Sequence, residues 1–272
     1  MIPAPFDYVR ADSVDDAIAR LREDPEGKLL AGGHSLLPAM KLRLARPSTL
    51  IDIGRLRDLA YIREDGDRVA IGALTRHHDV ATSELLRQAC PIVAHAASVV
   101  GDPQVRHVGT IGGSCAHGDP AGDLPSVLLA LEAEFVARGP SGERTIPASG
   151  FFTSLFETAL APDEVLTEIR VPRMSGGWAY LKFNRRAIDW AIVGVAAVRA
   201  NGGVRVGLTN MGLTPLRATG VEEAIASGAD PAAAAARADE GTAPPADAFA
   251  SDEYRRELAK VLVRRALEQV LA

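Results

Sequence analysis

Ala31-Gly32-Gly33-His34-Ser35-Leu36-Leu37-Pro38 and Thr110-Ile111-Gly112-Gly113-Ser114 are the two stretches whose reading decides this chain. Each sets two adjacent glycines beside hydroxyl residues. Glycine adopts φ > 0 without strain and lets backbone N–H groups reach an anion with no Cβ in the way. A pyrophosphate is the kind of anion such a loop suits. One glycine pair is as well explained by a tight turn; two, about eighty positions apart and both flanked by Ser or Thr, point to a bound dinucleotide. Neither stretch has the Gly-x-Gly-x-x-Gly spacing of a Rossmann site, and no Walker-type phosphate loop is present.

Outward from these stretches the pattern alternates. Ser13, with Asp16 three positions on, reads as the cap of a helix through Val14, Ala17, Ile18 and Leu21. Leu29–Ala31 reads as a strand, Leu36–Leu44 as a short helix and Thr49–Ile53 as a second strand. Arg68–Ala73 is a strand. Thr75 is expected to cap a helix toward Leu86, and Pro91 opens another through Val100. The stretch from Thr110 to Asp123 reads as one loop, followed by a helix over 125–131, a strand over 133–137 and a turn at Gly139–Gly142. Three strands follow, over 180–183, 191–200 and 204–209, with Asn201-Gly202 as a hairpin turn. Asp230–Asp247, rich in Ala, Pro and Asp, reads as a mobile loop. Asp252–Leu271 reads as a helix with Leu258, Val261, Leu262 and Leu267 on one face. The expected fold class is α+β. Residues 1–173 form a two-lobed domain (lobes about 1–56 and 57–173) and 174–272 a smaller domain with a three-stranded antiparallel sheet and helices.

Bulk properties exclude several functions. The 272 residues carry 30 basic and 35 acidic side chains, a net charge of −5, which argues against a broad nucleic-acid surface. Two cysteines, Cys90 and Cys115, cannot furnish a four-thiolate zinc or iron–sulfur site and read as reduced thiols of a cytoplasmic protein. The N-terminal residues have no signal-peptide pattern, and no apolar run is long enough to span a membrane.

Taken together, the two glycine stretches, Ala116-His117-Gly118-Asp119-Pro120, Asp123-Leu124-Pro125, and Lys182-Phe183 with Arg185-Arg186 resemble the FAD-binding medium subunits of the molybdenum hydroxylases, the xanthine dehydrogenase group. The resemblance is strongest to the carbon monoxide dehydrogenase type, and its stretches span most of the chain. It implies a PCMH-type, vanillyl-alcohol-oxidase-like fold with FAD as cofactor. It assigns Ala31, Gly32, Gly33, His34, Ser35, Leu36, Thr110, Gly112, Gly113 and Ser114 to the FAD site, with the pyrophosphate on the glycine stretches. It puts Asp123 near the flavin's sugar chain and Lys182 near the ring, and it counts His117 and Asp119 in the same site. It implies no catalytic residue acting on an organic substrate and no metal ligand in this chain. The implied partners are a large molybdopterin-binding subunit and a small subunit with 2Fe–2S clusters, in a dimer of heterotrimers. Gly122 departs from the Ala or Ser frequent in relatives, and the cysteine count disfavours the subtype with an extra iron–sulfur loop. A free-standing FAD-dependent oxidase acting on its own substrate is the alternative; it needs a base over the flavin, and none is identifiable.

Other side chains have plainer readings beside the functional ones. His34 contributes its ring or only its backbone N–H. His77-His78 reads as solvent-exposed or packed near adenine rather than as a metal pair. His117 serves either the flavin or its own loop. Arg185-Arg186 is a partner surface or a solvated strand end. Asp189-Trp190 shields the flavin or packs in the core, and the core is the expected place for Trp190; Cys115 reads as a small buried side chain.

Overall fold

Parallel strands need a crossover between them, and the N-terminal lobe supplies two. In the computed structural model, which describes residues 2–200 and 203–272, β1 (Asp7–Arg10), β2 (Lys28–Leu30) and β3 (Thr49–Asp52) form a parallel sheet in the order β1-β3-β2. Helices α1 (Val14–Glu23) and α2 (Leu36–Lys41) make the crossovers. Ser13 caps α1 as expected, its Oγ accepting from Asp16 N at 3.0 Å. The shorter Asp16 returns a carboxylate oxygen to Asp12 N, one residue before the cap.

The second lobe is an antiparallel sheet of five strands. It runs through β4 (Ile62–Asp65), β5 (Arg68–Gly72), helices α3 (His77–Thr82), α4 (Glu84–Ala89), α5 (Pro91–Ser98), α6 (Pro103–Arg106), α7 (Ile111–His117) and α8 (Asp123–Ala130), then β6 (Glu134–Gly139) and β7 (Gly142–Pro147). Helix α9 (Ala148–Phe151), a small hairpin of β8 (Phe152–Ser154) and β9 (Glu157–Thr158), and β10 (Val165–Pro172) complete it. The strand order is β4-β5-β10-β6-β7. Its core is closed by Phe135 stacked on Phe151 at 3.8 Å. Two expectations change here. Thr75 caps no helix: its hydroxyl accepts from Tyr61 N and donates to Tyr61 O, tying the start of β4 to the end of β5. Ser83 is the cap that is used, splitting the expected helix into α3 and α4. The stretch from Ile111 is also a helix rather than a loop, with Thr110 as its cap.

The C-terminal sheet contains the three expected strands, β11 (Trp178–Phe183), β12 (Val193–Ala200) and β13 (Gly203–Thr209), and a short fourth, β14 (Leu216–Arg217). Ala200 pairs with Gly203 in antiparallel register; the Asn201-Gly202 turn expected from sequence lies outside the described residues. The sheet is covered on both faces, which is why Val193–Val198 is apolar without alternation. Tyr180, Ala196 and Val198 pack into the core of the second lobe. Ala179, Val193, Val195 and Ala197 face α10 (Thr219–Ala226), α11 (Pro231–Ala235) and α12 (Asp252–Leu271).

Part of the expected 230–247 loop is therefore helix: Asp230 caps α11 by accepting from Ala233 N. The buried face of α12 is Arg255, Ala259, Leu262, Val263, Ala266, Leu267 and Val270, while Val261 is exposed. An apolar stripe assigned by spacing alone missed this because Arg255 lies inside. Its guanidinium donates to Ile192 O and pairs with Asp247 at 2.7 Å.

Candidate functional site

The two lobes and the C-terminal sheet enclose a cavity of about 720 Å³, within the size range of ligand and cofactor sites. Its wall includes every residue that the resemblance assigned to the FAD site except Asp119. Asp119 instead shapes the turn before α8, accepting from Ala121 N on Oδ1 and from Gly122 N on its carbonyl.

The two glycine stretches do different work. Gly33 takes the left-handed conformation, φ 71°, and turns the chain from β2 into α2. The backbone N–H groups of Gly32, Gly33, His34, Ser35 and Leu36 donate to nothing among the described residues, although they line the cavity. A run of unpaired N–H groups around a left-handed residue is an anion nest. His34 Nδ1 lies 2.9 Å from Gly32 O, a contact that requires the proton on Nδ1.

Around Gly112 the donors are already used. Ile111 N donates to Thr75 O, Gly112 N to Ala73 O, Gly113 N to Thr110 Oγ1 and Ser114 N to Thr110 O. A Cβ on Gly112 would meet Ala73 Cβ at 2.4 Å, so this glycine lets α7 pack on the end of β5. Sequence reasoning treated the two stretches as equivalent nests; the second is a capped helix start that forms wall.

The far wall holds a buried ion pair. Lys182 Nζ is 2.9 Å from Asp123 Oδ2 and donates to Val99 O at 3.0 Å; the side chains are 7% and 4% exposed. Tyr180 Oη donates to Asp123 Oδ1 at 2.6 Å. Burial raises the Asp123 carboxyl above its ordinary range, opposed by Lys182 and Tyr180. Sequence reasoning placed Asp123 and Lys182 at separate points of a ligand; the fold joins them because α8 packs against β12 and β13, and β11 lies beside β12 in the same sheet.

His117 lines the wall against Phe156, ring centroids 5.0 Å apart, and burial lowers its pKa against the opposing charge of Asp119. His77 is not solvent-exposed. It is buried at the cavity wall, desolvation with nearby Arg106 and His34 depresses its pKa to about 4, and Nδ1 has no partner. His78 lies against His107, with ring centroids 4.0 Å apart and the rings tilted by 31°. Trp190, expected in the core, is 59% exposed at the cavity wall with Ile188 and Asp189. Arg185 and Arg186 are exposed and do not line the cavity. Cys115 is fully buried, and desolvation raises its thiol pKa far above the ordinary value. Phe156–Thr158, Leu160 and Glu164–Leu166 also line the wall. They carry no motif, so no signal in the sequence marked them. Among the described residues no group of His, Cys, Asp and Glu could hold a metal, and no helix is long and apolar enough to cross a membrane.

A large cleft between lobes, an anion nest at one wall and a buried Lys–Asp pair at another define a protein that holds a long anionic cofactor. Residues 4–174 match the family described as the FAD binding domain in molybdopterin dehydrogenase, and residues 178–270 match the CO dehydrogenase flavoprotein C-terminal domain. The chain is 44% identical to the carbon monoxide dehydrogenase medium chain of Hydrogenophaga pseudoflava, over 100% of this chain and 99% of the relative. A solved carbon monoxide dehydrogenase from that organism superposes with a TM-score of 0.95, over 100% of this chain and 99% of that one. Quinoline 2-oxidoreductase from Pseudomonas putida 86 superposes with a TM-score of 0.92 at 28% identity, over 99% of this chain and 98% of that one. The chain belongs to the family of FAD-binding medium subunits of the carbon monoxide dehydrogenase and xanthine dehydrogenase enzymes, which makes it an oxidoreductase subunit with FAD as its cofactor.

Proposed function

We propose that this chain is the electron-transfer subunit of a molybdenum hydroxylase complex. It holds FAD along the cavity and passes electrons arriving from 2Fe–2S clusters of a small partner subunit to an external acceptor. A large molybdopterin-binding subunit oxidises the substrate, the assembly is a dimer of heterotrimers, and the complex works in the cytoplasm. The domain division lies near residue 173. The observation that carries the FAD assignment is the run of five unpaired N–H groups from Gly32 to Leu36.

In this reading the nest binds the pyrophosphate, since backbone donors held by a fold lose no side-chain entropy on binding. Thr110, Gly112, Gly113 and Ser114 form the facing wall. Bound FAD supplies two-electron redox chemistry; the protein sets its position and surroundings. Asp123 and Lys182 offer a fixed carboxylate and ammonium to its sugar chain and ring. Leu36, Ala31 and His117 exclude water from the wall. The relatives are named for different substrates, among them 6-hydroxypseudooxynicotine, glyceraldehyde and caffeine, which supports a substrate site on another subunit.

The test is anaerobic reduction of the flavin in the co-purified complex and in this chain alone, followed by absorbance. Fast reduction by substrate only when the partner subunits are present is expected. Substrate oxidation by the isolated chain would overturn the proposal in favour of a free-standing oxidase.

A further inference from the structure

Tyr180 is buried, its hydroxyl is hydrogen-bonded to a carboxylate at the cofactor cavity, and the proposed function gives it no part. Asp123 and Ser126 belong to α8, while Tyr180 and Lys182 belong to β11 and Thr209 to β13. Tyr180 and Lys182 are two residues apart on one strand, so they share a face, and both side chains reach Asp123 of α8. Ser126 Oγ lies 2.5 Å from Thr209 Oγ1. Gly194 stands opposite both Lys182 and Thr209 in the sheet. A Cβ there would lie 3.0 Å from Tyr180 Oη and 3.0 Å from Thr209 Oγ1. The sheet thus keeps a space for these two hydroxyls at the seam between the second lobe and the C-terminal sheet.

An ammonium has three N–H groups. Lys182 gives one to Val99 O and one to Asp123 Oδ2, and the third has no partner among the described residues. The two oxygens of Asp123 are divided between Tyr180 and Lys182.

We propose that Tyr180 is a positioning residue for Lys182: its hydroxyl fixes one oxygen of Asp123, so the other holds the ammonium at the cavity wall with one N–H free for the cofactor. The inference rests on the reading of this cavity as the FAD site with Lys182 beside the flavin. A donor on Oδ1 leaves Oδ2 to fix the ammonium in place, and by drawing charge away from Oδ2 it leaves that ammonium less neutralised. Lys182 then acts more strongly on negative charge that develops in the cavity.

The test uses the purified three-subunit complex with FAD content, flavin absorption and flavin midpoint potential as readouts. Tyr180→Phe removes the donor, and the expected result is normal FAD content with a potential shifted to more negative values. Incorporation of 3-fluorotyrosine at position 180 keeps the shape and strengthens the donor; it should shift the potential the opposite way. Opposite shifts support the proposal, since a tyrosine that merely fills space would give no such pair. Should Tyr180→Phe fail to assemble, the fluorotyrosine complex decides alone. An unchanged potential in a fluorotyrosine complex that holds FAD overturns this inference and leaves the proposed function standing. A wild-type complex without FAD overturns the proposed function, and this inference with it.

Discussion

Gly32→Ala adds one methyl group where the two lobes touch. Its Cβ would lie 2.4 Å from Val108 O and 2.8 Å from Gly109 Cα, both backbone atoms that cannot swing aside. Relief to ordinary contact requires the 31–35 loop to withdraw by about 1 Å. Overpacking of this kind costs about 1–3 kcal/mol of stability. The larger effect is on the cofactor. N–H groups displaced by about 1 Å no longer converge on an anion whose position is fixed by the rest of the cofactor in the cavity. Each bond to a charged group is worth about 1.5–3 kcal/mol. Losing two therefore weakens FAD binding by about 3–6 kcal/mol, roughly a hundredfold to ten-thousandfold. The assay is heat-released FAD per chain in the purified complex, followed by back-titration of the apoprotein. Gly150→Ala is the control, because a Cβ there meets nothing within 4 Å; it should keep its FAD. A Gly32→Ala complex with wild-type FAD content and affinity would refute the reasoning.

Asp123→Ala leaves the Lys182 ammonium buried without its counter-ion, and should cost about 3–5 kcal/mol; urea denaturation showing a loss under about 1 kcal/mol, no more than a surface pair contributes, would reject it. His77 has a depressed folded-state pKa, so the native state binds fewer protons than the unfolded state between pH 6.5 and about 4. Its contribution, up to ~3 kcal/mol, is complete above pH 6.5 and lost as pH falls toward 4. His77→Gln should flatten that part of the stability profile, and a stability difference between wild type and variant that does not vary with pH would contradict the assignment. Cys90 and Cys115 are both buried, and burial raises the Cys90 pKa to about 12 and that of Cys115 further. Neither should react with iodoacetamide in the folded protein, as mass spectrometry can check. Arg255→Ala removes the donor to Ile192 O and the partner of Asp247; thermal melting should report a loss of about 2–4 kcal/mol.

Much of this was legible in the chain because it depends on short-range rules. Ser13 before Val14, Pro91 at a helix start and the apolar strands over 193–200 and 203–209 are governed by neighbours along the sequence. Where partners lie far away in sequence, local rules failed. Thr75 has the composition of a helix cap but bonds to Tyr61. Trp190 has the composition of core but lines a cavity. Arg255 looks like solvent-facing charge but is buried because Ile192 O and Asp247 receive it.

The sequence by itself determined the two glycine stretches and the α+β alternation, since these are written in residue types and spacings; the family resemblance added Asp123 and Lys182 to one site. Only the tertiary structure separated the glycine stretches into a nest with free donors at 32–36 and a capped helix start at 110–114. Only it joined Asp123, Tyr180 and Lys182. The physical reason is the same in both cases. Whether an N–H is free, or which carboxylate an ammonium finds, depends on which distant segment the fold brings against it: Ala73 and Thr75 against α7, and the sheet of β11, β12 and β13 against α8.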